Sequence, residues 1–155
     1  MVFDFETDVL VVGSGAAGFS AAITANSRGD QVMMLEKGDD YGGTTQHSGG
    51  GFWIPNNRFQ REKGIEDVKN DAVRYMARLS YPQLYNPSDP ALGLPQNHYD
   101  LISTFYDKAA GAIEFLEELG ALQTIQDVNW TGQPQVDYQE QLPENKMIRG
   151  RTLFP

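Results

Sequence analysis

The sequence predicts an α/β fold, with one βαβ unit near the start of the chain and accessory helices after it. The apolar run from Val9 to Val12 is typical of a strand buried on both faces of a parallel sheet, and the run from Val32 to Leu35 indicates a second strand. Between them lies an alanine-rich segment, roughly Ala16 to Arg28, that favours a helix. Gly29 follows at the position where a glycine commonly ends a helix.

The composition excludes several classes of function. The 155 residues suffice for one domain with a core, and 12 basic against 21 acidic residues leave a formal charge of -9. That charge repels phosphate backbones and anionic membranes, so we expect no nucleic-acid binding. The sequence has no cysteine, which excludes disulfides and cysteine ligands, and we predict no metal site. No run approaches the ~20 apolar residues of a membrane-spanning helix, and a secretory signal is not recognisable, so a cytoplasmic location is expected.

The loop between the first strand and the helix has the spacing G-x-G-x-x-G. Its first glycine permits a tight turn, its second leaves room for a pyrophosphate beside the backbone, and its third lets the helix pack closely on the strand. The N–H groups and the positive dipole end of the helix would face the anion. The sequence therefore predicts a Rossmann-like dinucleotide site formed by Gly13, Ser14, Gly15, Ala16, Ala17 and Gly18.

An acidic residue completes this nucleotide pattern. Glu36 follows the second strand, 18 residues beyond Gly18, near the spacing of ~20 expected for a carboxylate that binds ribose hydroxyls. Lys37, directly after it, is included in the predicted site. A carboxylate here disfavours a 2'-phosphate, so NADP is the least favoured ligand. This fingerprint alone leaves both NAD and FAD open, as well as a βαβ unit that binds no nucleotide.

A second glycine cluster, "GGTTQHSGGG", occupies residues 42 to 51. Glycine loses much conformational freedom on folding, so such a run needs a compensating reason. Bulky apolar residues follow at once, from Phe52 to Ile54, and indicate a packed loop rather than a flexible linker. The glycines would let a ligand approach the backbone while hydroxyl groups bond to it. A purely structural glycine loop is the alternative.

Three stretches, "DVLVVGSGAAG", "LEKGDDYGGTTQHSGGGFWIPNN" and "LPENKMIRGRTLFP", resemble the fumarate reductase/succinate dehydrogenase flavoprotein superfamily. The resemblance is greatest to its 3-ketosteroid dehydrogenase-like branch and strongest over residues 8 to 57. It implies an FAD-binding βαβ unit that is the N-terminal part of a two-domain flavoprotein, whose first domain is interrupted by a capping domain. It also implies that the flavin is lined by Gly42, Gly43, Thr44, Thr45, Ser48, Gly49 and Gly50.

The resemblance also implies that FAD is bound non-covalently. Some members of the superfamily attach FAD through a histidine in this glycine loop. When their "QGG" is matched to Ser48–Gly50, the attachment position falls on Gly43, four residues before His47. We therefore interpret His47 as a loop histidine near the cofactor.

The remaining sequence predicts helices and loops. Residues 65 to 79 and 98 to 119 have helical apolar spacing, and both helices are expected to form core. The second helix would bury a stripe that includes Leu101 and Phe105, and Asp67 would lie in the first turn of the first helix. Four prolines between residues 80 and 100 indicate an irregular surface loop. We divide the chain into residues 1–60, the βαβ unit and flavin loop, and 61–155, a helical and loop-rich continuation toward the substrate region.

Tyr138 is the one candidate catalytic residue. In steroid dehydrogenases of the superfamily, a tyrosine that follows an aspartate lies near the substrate, and Tyr138 in "VDYQEQLPEN" is the matching position. A phenol beside a flavin could assist removal of a proton α to a carbonyl. A surface or packing tyrosine is the alternative.

The resemblance implies an FAD-dependent oxidoreductase that acts on a CH–CH group of a 3-ketosteroid or similar enone. The alternatives are reduction of an unsaturated acid such as fumarate, a non-catalytic FAD-binding fragment, and an NAD-binding domain. We expect the 155-residue chain alone to be inactive. One βαβ unit leaves sheet edges and an apolar face uncovered, which predicts self-association or a missing C-terminal segment.

Overall fold

The computed structural model describes residues 3–155. The chain divides into two compact units. The first unit extends to Gly50 and includes Leu119–Ala121, and the second contains Gly51–Glu118 and Leu122–Pro155.

The first unit has the predicted βαβ arrangement. Its elements are β1 (Val9–Val12), α1 (Ala16–Ser27), β2 (Val32–Leu35) and a short α2 (Gly43–Gln46). β1 and β2 pair in parallel, with Val9 opposite Val32. Gly29 has the left-handed φ of 97° that a residue after a helix end requires, so its predicted role is confirmed.

The prediction that β1 is buried on both faces is wrong. Val11 is buried on the side of α1, where its Cγ1 lies 3.5 Å from the Cβ position of Gly18. Leu10 and Val12 point to the other face, and Val12 is 79 % exposed. Within the described residues of the first unit, the sheet has two strands and no second layer covers that face. The apolar run indicates a strand suited to burial, but burial also needs a neighbouring layer.

The second unit combines three helices with a small antiparallel sheet. Its helices are α3 (Arg58–Glu62), α4 (Lys69–Ser80) and α5 (Gln96–Glu118). Its strands are β3 (Phe52–Trp53), β4 (Ile125–Gln126) and β5 (Thr152–Phe154), in the spatial order β3-β5-β4. α3 starts with a capping box in which the side chains of Asn57 and Gln60 each bond to the backbone N–H of the other.

The proline-rich stretch forms the predicted irregular loop between α4 and α5, but this loop does not lie wholly on the surface. Its residues Leu92 and Leu94 are buried in the core cluster with Val73 and Ala77 of α4 and Ile102 of α5. A hydrogen bond from Asn86 N–H to the Leu92 carbonyl oxygen, 2.8 Å long, folds the loop back on itself. The loop therefore buries two leucines, which the proline spacing does not reveal.

The buried face of α5 also differs from the predicted stripe. Ile102 is buried, whereas Leu101 is 63 % exposed and Phe105 is also exposed. Tyr99 and Tyr106 pack against the core cluster. They lie three and four residues from Ile102, so the core-facing side is rotated by one position from the stripe that apolar spacing predicted.

A buried polar cluster surrounds Arg151, which precedes β5. Its guanidinium donates to both carboxylate oxygens of Asp67 at 2.7 Å and to Oδ2 of Asp137 at 2.7 Å. All three side chains are 0 % exposed. Burial raises the pKa of Asp137, and the neighbouring Arg151 opposes that rise. α4 begins at Lys69, so Asp67 lies outside the helix and serves this ion pair instead of the predicted first turn.

Replacing Arg151 should be far more damaging than replacing a cation of an exposed pair. Arg151→Met leaves two buried carboxylates without their partner, which we expect to lower the free energy of unfolding by about 3–5 kcal/mol. Lys69→Met removes an ion pair to Asp107 whose side chains are both 44 % exposed, and should cost less than ~1 kcal/mol. Urea unfolding of both variants measures the difference. Equal losses would contradict a dominant role of the Arg151 cluster.

Candidate cofactor site

The loop between β1 and α1 has the geometry that its three glycines predicted. Gly13 has a φ of 96°, and its N–H donates to the Leu35 carbonyl oxygen at 2.7 Å. A Cβ on Gly18 would lie 1.9 Å from the carbonyl oxygen of Gly13, so only glycine fits there. A Cβ on Gly15 would meet no atom within 4 Å. The space beside Gly15 is therefore open, while Gly13 and Gly18 shape the turn.

The start of α1 is suited to an anion. Gly15 is the N-cap, and Ala16, Ala17 and Gly18 form the first turn. In the described part of the chain, no side chain caps these N–H groups, and the turn contains no acidic residue. The free donors and the positive end of the helix dipole favour a phosphate or carboxylate at this position.

Ser14 connects this loop to two other parts of the first unit. It is buried, and its N–H and hydroxyl both donate to Oε2 of Glu36, at 2.9 and 2.5 Å. The Ser14 oxygen in turn accepts a 2.8 Å hydrogen bond from the N–H of Gly42. One serine thus joins the first glycine loop, the end of β2 and the start of the second glycine loop. The spacing of glycines gives no sign of this role.

Glu36 is an ionised acceptor at the end of β2. The hydroxyl of Ser14, together with the N–H groups of Gly38 and Ser14, lowers the pKa of Glu36 to about 2. The Gly38 N–H donates to Oε1 at 2.9 Å. The Lys37 N–H is a further and smaller cause of the lowered pKa, and Glu36 itself is exposed. Lys37 follows directly and is exposed.

An open cleft of about 460 Å³ adjoins Glu36. It is lined by Glu36, Gly38, Asp39, Asp40, Gly43, Thr44, Gln46 and His47. Three carboxylates favour a neutral partner with donor groups, such as ribose hydroxyls, and oppose a phosphate in the cleft. The anion-binding part and the hydroxyl-binding part of the site are therefore separate.

The second glycine loop lies against the first. A Cβ on Gly43 would come within 3.4 Å of the Cα of Gly15. Gly42, with a φ of 107°, is the N-cap of α2, and its own Cβ would lie 2.9 Å from the Cβ of Gln46. The left-handed φ, 107° at Gly42 and 54° at Gly43, favours glycine at both positions, and at Gly42 a Cβ would also collide with the Gln46 side chain. His47 is the residue that ends α2.

The other residues of this loop are placed as follows. Thr44 and Thr45 lie within α2. The Ser48 hydroxyl donates to the Thr45 carbonyl oxygen at 2.9 Å and accepts from the Gly50 N–H at 3.1 Å. A Cβ on Gly49 would meet nothing within 4 Å. The structure thus brings every predicted cofactor residue into the first unit, where loop hydrogen bonds order the end of the glycine cluster.

Tyr138 belongs to the second unit. Its side chain is 74 % exposed, and its backbone carbonyl oxygen accepts a hydrogen bond from the hydroxyl of Tyr75. Within residues 3–155, no group of three or more His, Asp and Glu residues is placed to hold a metal ion. No helix in the same range is long and apolar enough to cross a membrane.

A family model described as FAD binding domain matches residues 8–147. The chain belongs to this family. The match confirms the predicted flavoprotein family and selects FAD from the two dinucleotides that the glycine spacing left open. The α/β fold of an FAD-binding unit is confirmed as well.

Several relatives are dehydrogenases or reductases. A 3-oxosteroid 1-dehydrogenase of Mycolicibacterium smegmatis is 49 % identical over 71 residues, which are 46 % of this chain and 12 % of that protein. A 4-oxocyclohex-2-ene-1-carboxylate 5-dehydrogenase of Sinomonas cyclohexanicum is 34 % identical over 96 % of this chain and 22 % of its own length. An NADH:fumarate oxidoreductase of Klebsiella pneumoniae is 32 % identical over 94 % of this chain and 14 % of its own length. This chain therefore spans less than a quarter of the length of each.

Solved structures give the same result. A 3-ketosteroid delta1-dehydrogenase from Sterolibacterium denitrificans, in complex with 1,4-androstadiene-3,17-dione, superposes with a TM-score of 0.67 and 31 % identity. The match covers 95 % of this chain and 22 % of that chain. A flavocytochrome c3 fumarate reductase matches with a TM-score of 0.54 and 25 % identity, over 85 % of this chain and 19 % of its own. Both predicted branches of the superfamily are thus among the relatives.

The residues of the first unit fit FAD. The uncapped start of α1 suits the pyrophosphate, and the open space at Gly15 permits its approach. The ionised and exposed carboxylate of Glu36 is a hydrogen-bond acceptor of the kind that a ribose hydroxyl requires. The first glycine loop therefore supplies hydrogen-bond donors for the pyrophosphate, and the end of β2 supplies an acceptor for the ribose. The nucleotide half of FAD requires both kinds of partner.

Two glycine variants should separate folding from cofactor binding. Gly18→Ala places a Cβ against the Gly13 carbonyl and should lower the free energy of unfolding by about 1–3 kcal/mol. Gly15→Ala meets open space and should leave stability nearly unchanged, yet weaken FAD binding because the methyl group takes the place of the pyrophosphate. Urea unfolding and FAD fluorescence quenching measure the two effects. Tight FAD binding by Gly15→Ala would contradict the assigned role.

Removing the Ser14 hydroxyl should change the ionisation of Glu36. We expect Ser14→Ala to raise the pKa of Glu36 from about 2 toward its ordinary value, since this hydroxyl is the largest cause of the shift. Because the folded pKa is lowered, Glu36 stabilises the fold above its ordinary pKa of ~4.3, and this stabilisation is lost as the pH falls toward 2. Carbon-13 NMR titration of the Glu36 carboxyl measures the pKa. Ser48→Ala is the control, and a shift of equal size there would refute the assignment to Ser14.

Proposed function

We propose that this FAD binding domain serves an oxidoreductase that removes or adds hydrogen at a CH–CH group beside a carbonyl, with 3-ketosteroids or similar cyclic enones as the substrate class. The observation that carries the proposal is the similarity over 95 % of the chain, at 31 % identity, to a solved 3-ketosteroid dehydrogenase. The similarity to a 4-oxocyclohex-2-ene-1-carboxylate 5-dehydrogenase also supports a cyclic ketone as the substrate.

The cofactor residues then have separate tasks. We assign Gly13 to Gly18 to the pyrophosphate and Glu36, with Lys37, to the ribose. The second glycine loop, Gly42 to Gly50, lines the flavin. The binding is non-covalent because the position that matches covalent attachment is Gly43, which has no side chain to form the bond. When bound, FAD supplies the hydride chemistry, and the protein supplies binding and orientation.

Tyr138 is the proposed proton-transfer group. Its exposed phenol stands in the "DY" context that resembles the steroid dehydrogenases, and a phenol can exchange a proton with a carbon α to a carbonyl. The division into residues 1–60 and 61–155 remains a prediction. A cytoplasmic location also remains a proposal, and the absence of cysteine is compatible with it.

Reduction of an unsaturated acid is the second candidate function. The similarity to an NADH:fumarate oxidoreductase over 94 % of the chain supports it. A third possibility is that the chain binds FAD without catalysis. Each function predicts a different behaviour of the flavin. A ketosteroid dehydrogenase would have its flavin reduced by a ketosteroid, and an unsaturated-acid reductase would have its reduced flavin reoxidised by fumarate. A non-catalytic protein would bind flavin that reacts with neither.

The first test uses the oxidoreductase that contains this domain, because we expect the 155-residue chain alone to be inactive. The protein is loaded with FAD, the excess is removed by desalting, and 4-androstene-3,17-dione is added without oxygen. We expect the visible absorbance of the oxidised flavin to fall as the flavin is reduced. Tyr138→Phe should slow this step about 10²-fold or more, as expected for loss of a proton-transfer group, and leave FAD binding unchanged. Tyr99→Phe, which alters a tyrosine packed on the α4–α5 core, is the control. Reoxidation of reduced flavin by fumarate, without reduction by the steroid, would replace the leading proposal with the second.

We also propose that another chain segment covers the exposed face of β1 and β2. Leu10, Val12 and Leu35 are exposed on this sheet, whose strand edges are also available for pairing. Two arrangements fit: a second copy of the chain, or a further segment that completes the sheet.

Sedimentation velocity over a range of protein concentrations tests this proposal. Self-association should be visible in the wild-type chain and weaker in a Leu10→Ser, Val12→Ser variant, because the apolar face loses contact area. Leu101→Ser, on the exposed side of α5, should behave like the wild type. A compact monomer at every concentration would count against self-association and leave the completing segment.

A further inference from the structure

One nitrogen atom closes the loop that carries Tyr138. We define the Tyr138 loop as residues 137–145. Nη1 of Arg151 donates to Oδ2 of Asp137 at 2.7 Å and to Oδ1 of Asn145 at 2.9 Å. Both ends of the loop are therefore held by the same atom, and both end residues are buried.

The rest of the Arg151 side chain is equally constrained. Its Nε and Nη2 bond to the two carboxylate oxygens of Asp67, each at 2.7 Å. The guanidinium carbon lies 5.0 Å from the ring centre of Trp53 and 5.5 Å from that of Tyr75. The bidentate pair, together with the two neighbouring aromatic rings, whose centres are 5.8 Å apart, restricts the plane of the guanidinium. The position of Nη1, and hence of the loop ends, follows from it.

A second contact holds the backbone of Tyr138 itself. The hydroxyl of Tyr75 donates to the Tyr138 carbonyl oxygen. Burial raises the pKa of Tyr75 to about 12, so its hydroxyl keeps its proton at neutral pH. The next residue, Gln139, has a left-handed φ of 51°. A non-glycine residue stays in that conformation only when its surroundings hold it there.

Stability alone does not explain why this charged cluster is buried. The side chains of Asp67, Asp137 and Arg151 are all 0 % exposed, so the cluster carries the free-energy cost of removing three ionisable groups from water. Well-packed apolar residues of similar volume often stabilise a protein as much or more. The contrast between buried loop ends and a phenol that is 74 % exposed indicates placement of that phenol as the reason for the cluster.

We propose that Arg151 and Tyr75 are positioning residues for Tyr138, holding the Tyr138 loop so that its phenol projects from one defined backbone conformation. The importance of this placement rests on the proposed catalytic role of Tyr138. The placement itself is measured without any activity, so the two proposals fail separately.

The test compares two tyrosine variants of the full chain. Tyr75→Phe removes the hydrogen bond to the Tyr138 carbonyl. Tyr106→Phe is the matched control, because its hydroxyl donates to the carbonyl of Asp67 in the same cluster but outside the loop. Amide hydrogen exchange of Leu142 reports on the loop, since this N–H donates to the Gln139 carbonyl at 3.0 Å. A 3-fluorotyrosine at position 138 adds a fluorine resonance from the ring itself.

We expect Leu142 exchange to become at least tenfold faster in Tyr75→Phe and in Asn145→Ala, and to stay unchanged in Tyr106→Phe. The fluorine resonance should move toward that of free 3-fluorotyrosine in the first two variants only. If the Tyr75 hydroxyl only stabilised the fold, Tyr75→Phe and Tyr106→Phe would lower the melting temperature alike. The exchange rate of Leu142 would then be the same in the two variants. Equal exchange in Tyr75→Phe and Tyr106→Phe, or unchanged exchange in Tyr75→Phe and Asn145→Ala, would overturn the proposal.

Arg151→Lys keeps the positive charge but loses the bidentate guanidinium. This variant should also speed the exchange of Leu142. If Arg151→Lys does not fold, the tyrosine and asparagine variants decide the question.

Discussion

The hydrogen bonds between Ser14 and Glu36 are the interaction on which the cofactor site depends. They join the loop after β1 to the end of β2, and the same serine oxygen holds the start of the second glycine loop. The backbone amides of Ser14 and Gly38 and the hydroxyl of Ser14 also keep Glu36 ionised. The same contacts thus define both the shape and the charge of the site, and a change at Ser14 affects every loop around it.

The second unit is organised by the same physical principle. Arg151 donates hydrogen bonds to Asp67, Asp137 and Asn145, and so brings together buried residues from separate parts of the sequence. A buried polar group without a hydrogen-bond partner costs free energy, so a single guanidinium with several donors favours one arrangement of these loops. In each unit, a buried side chain with several hydrogen bonds arranges loops whose exposed residues are the candidates for function.

The sequence predicted those parts of the fold that depend on local chemistry. Both strands of the βαβ unit have the predicted bounds, and Gly29 ends α1 as expected. The sequence failed where burial depends on a distant partner. Leu92 and Leu94 lie in a proline-rich loop yet belong to the core, and Val12 lies in an apolar strand yet is exposed. Short apolar segments do not reveal which surface they contact, because the contacting residues are remote in the chain.

The sequence by itself determined the glycines of the cofactor site and the acid after β2, because backbone approach and left-handed turns restrict the residue type at those positions. It also determined the family to which the chain belongs. Only the tertiary structure decided that Ser14 links the two glycine loops and that Arg151 holds both ends of the Tyr138 loop. Serine and arginine occur in many contexts, so their hydrogen-bond partners are defined by the packed fold and not by spacing along the chain.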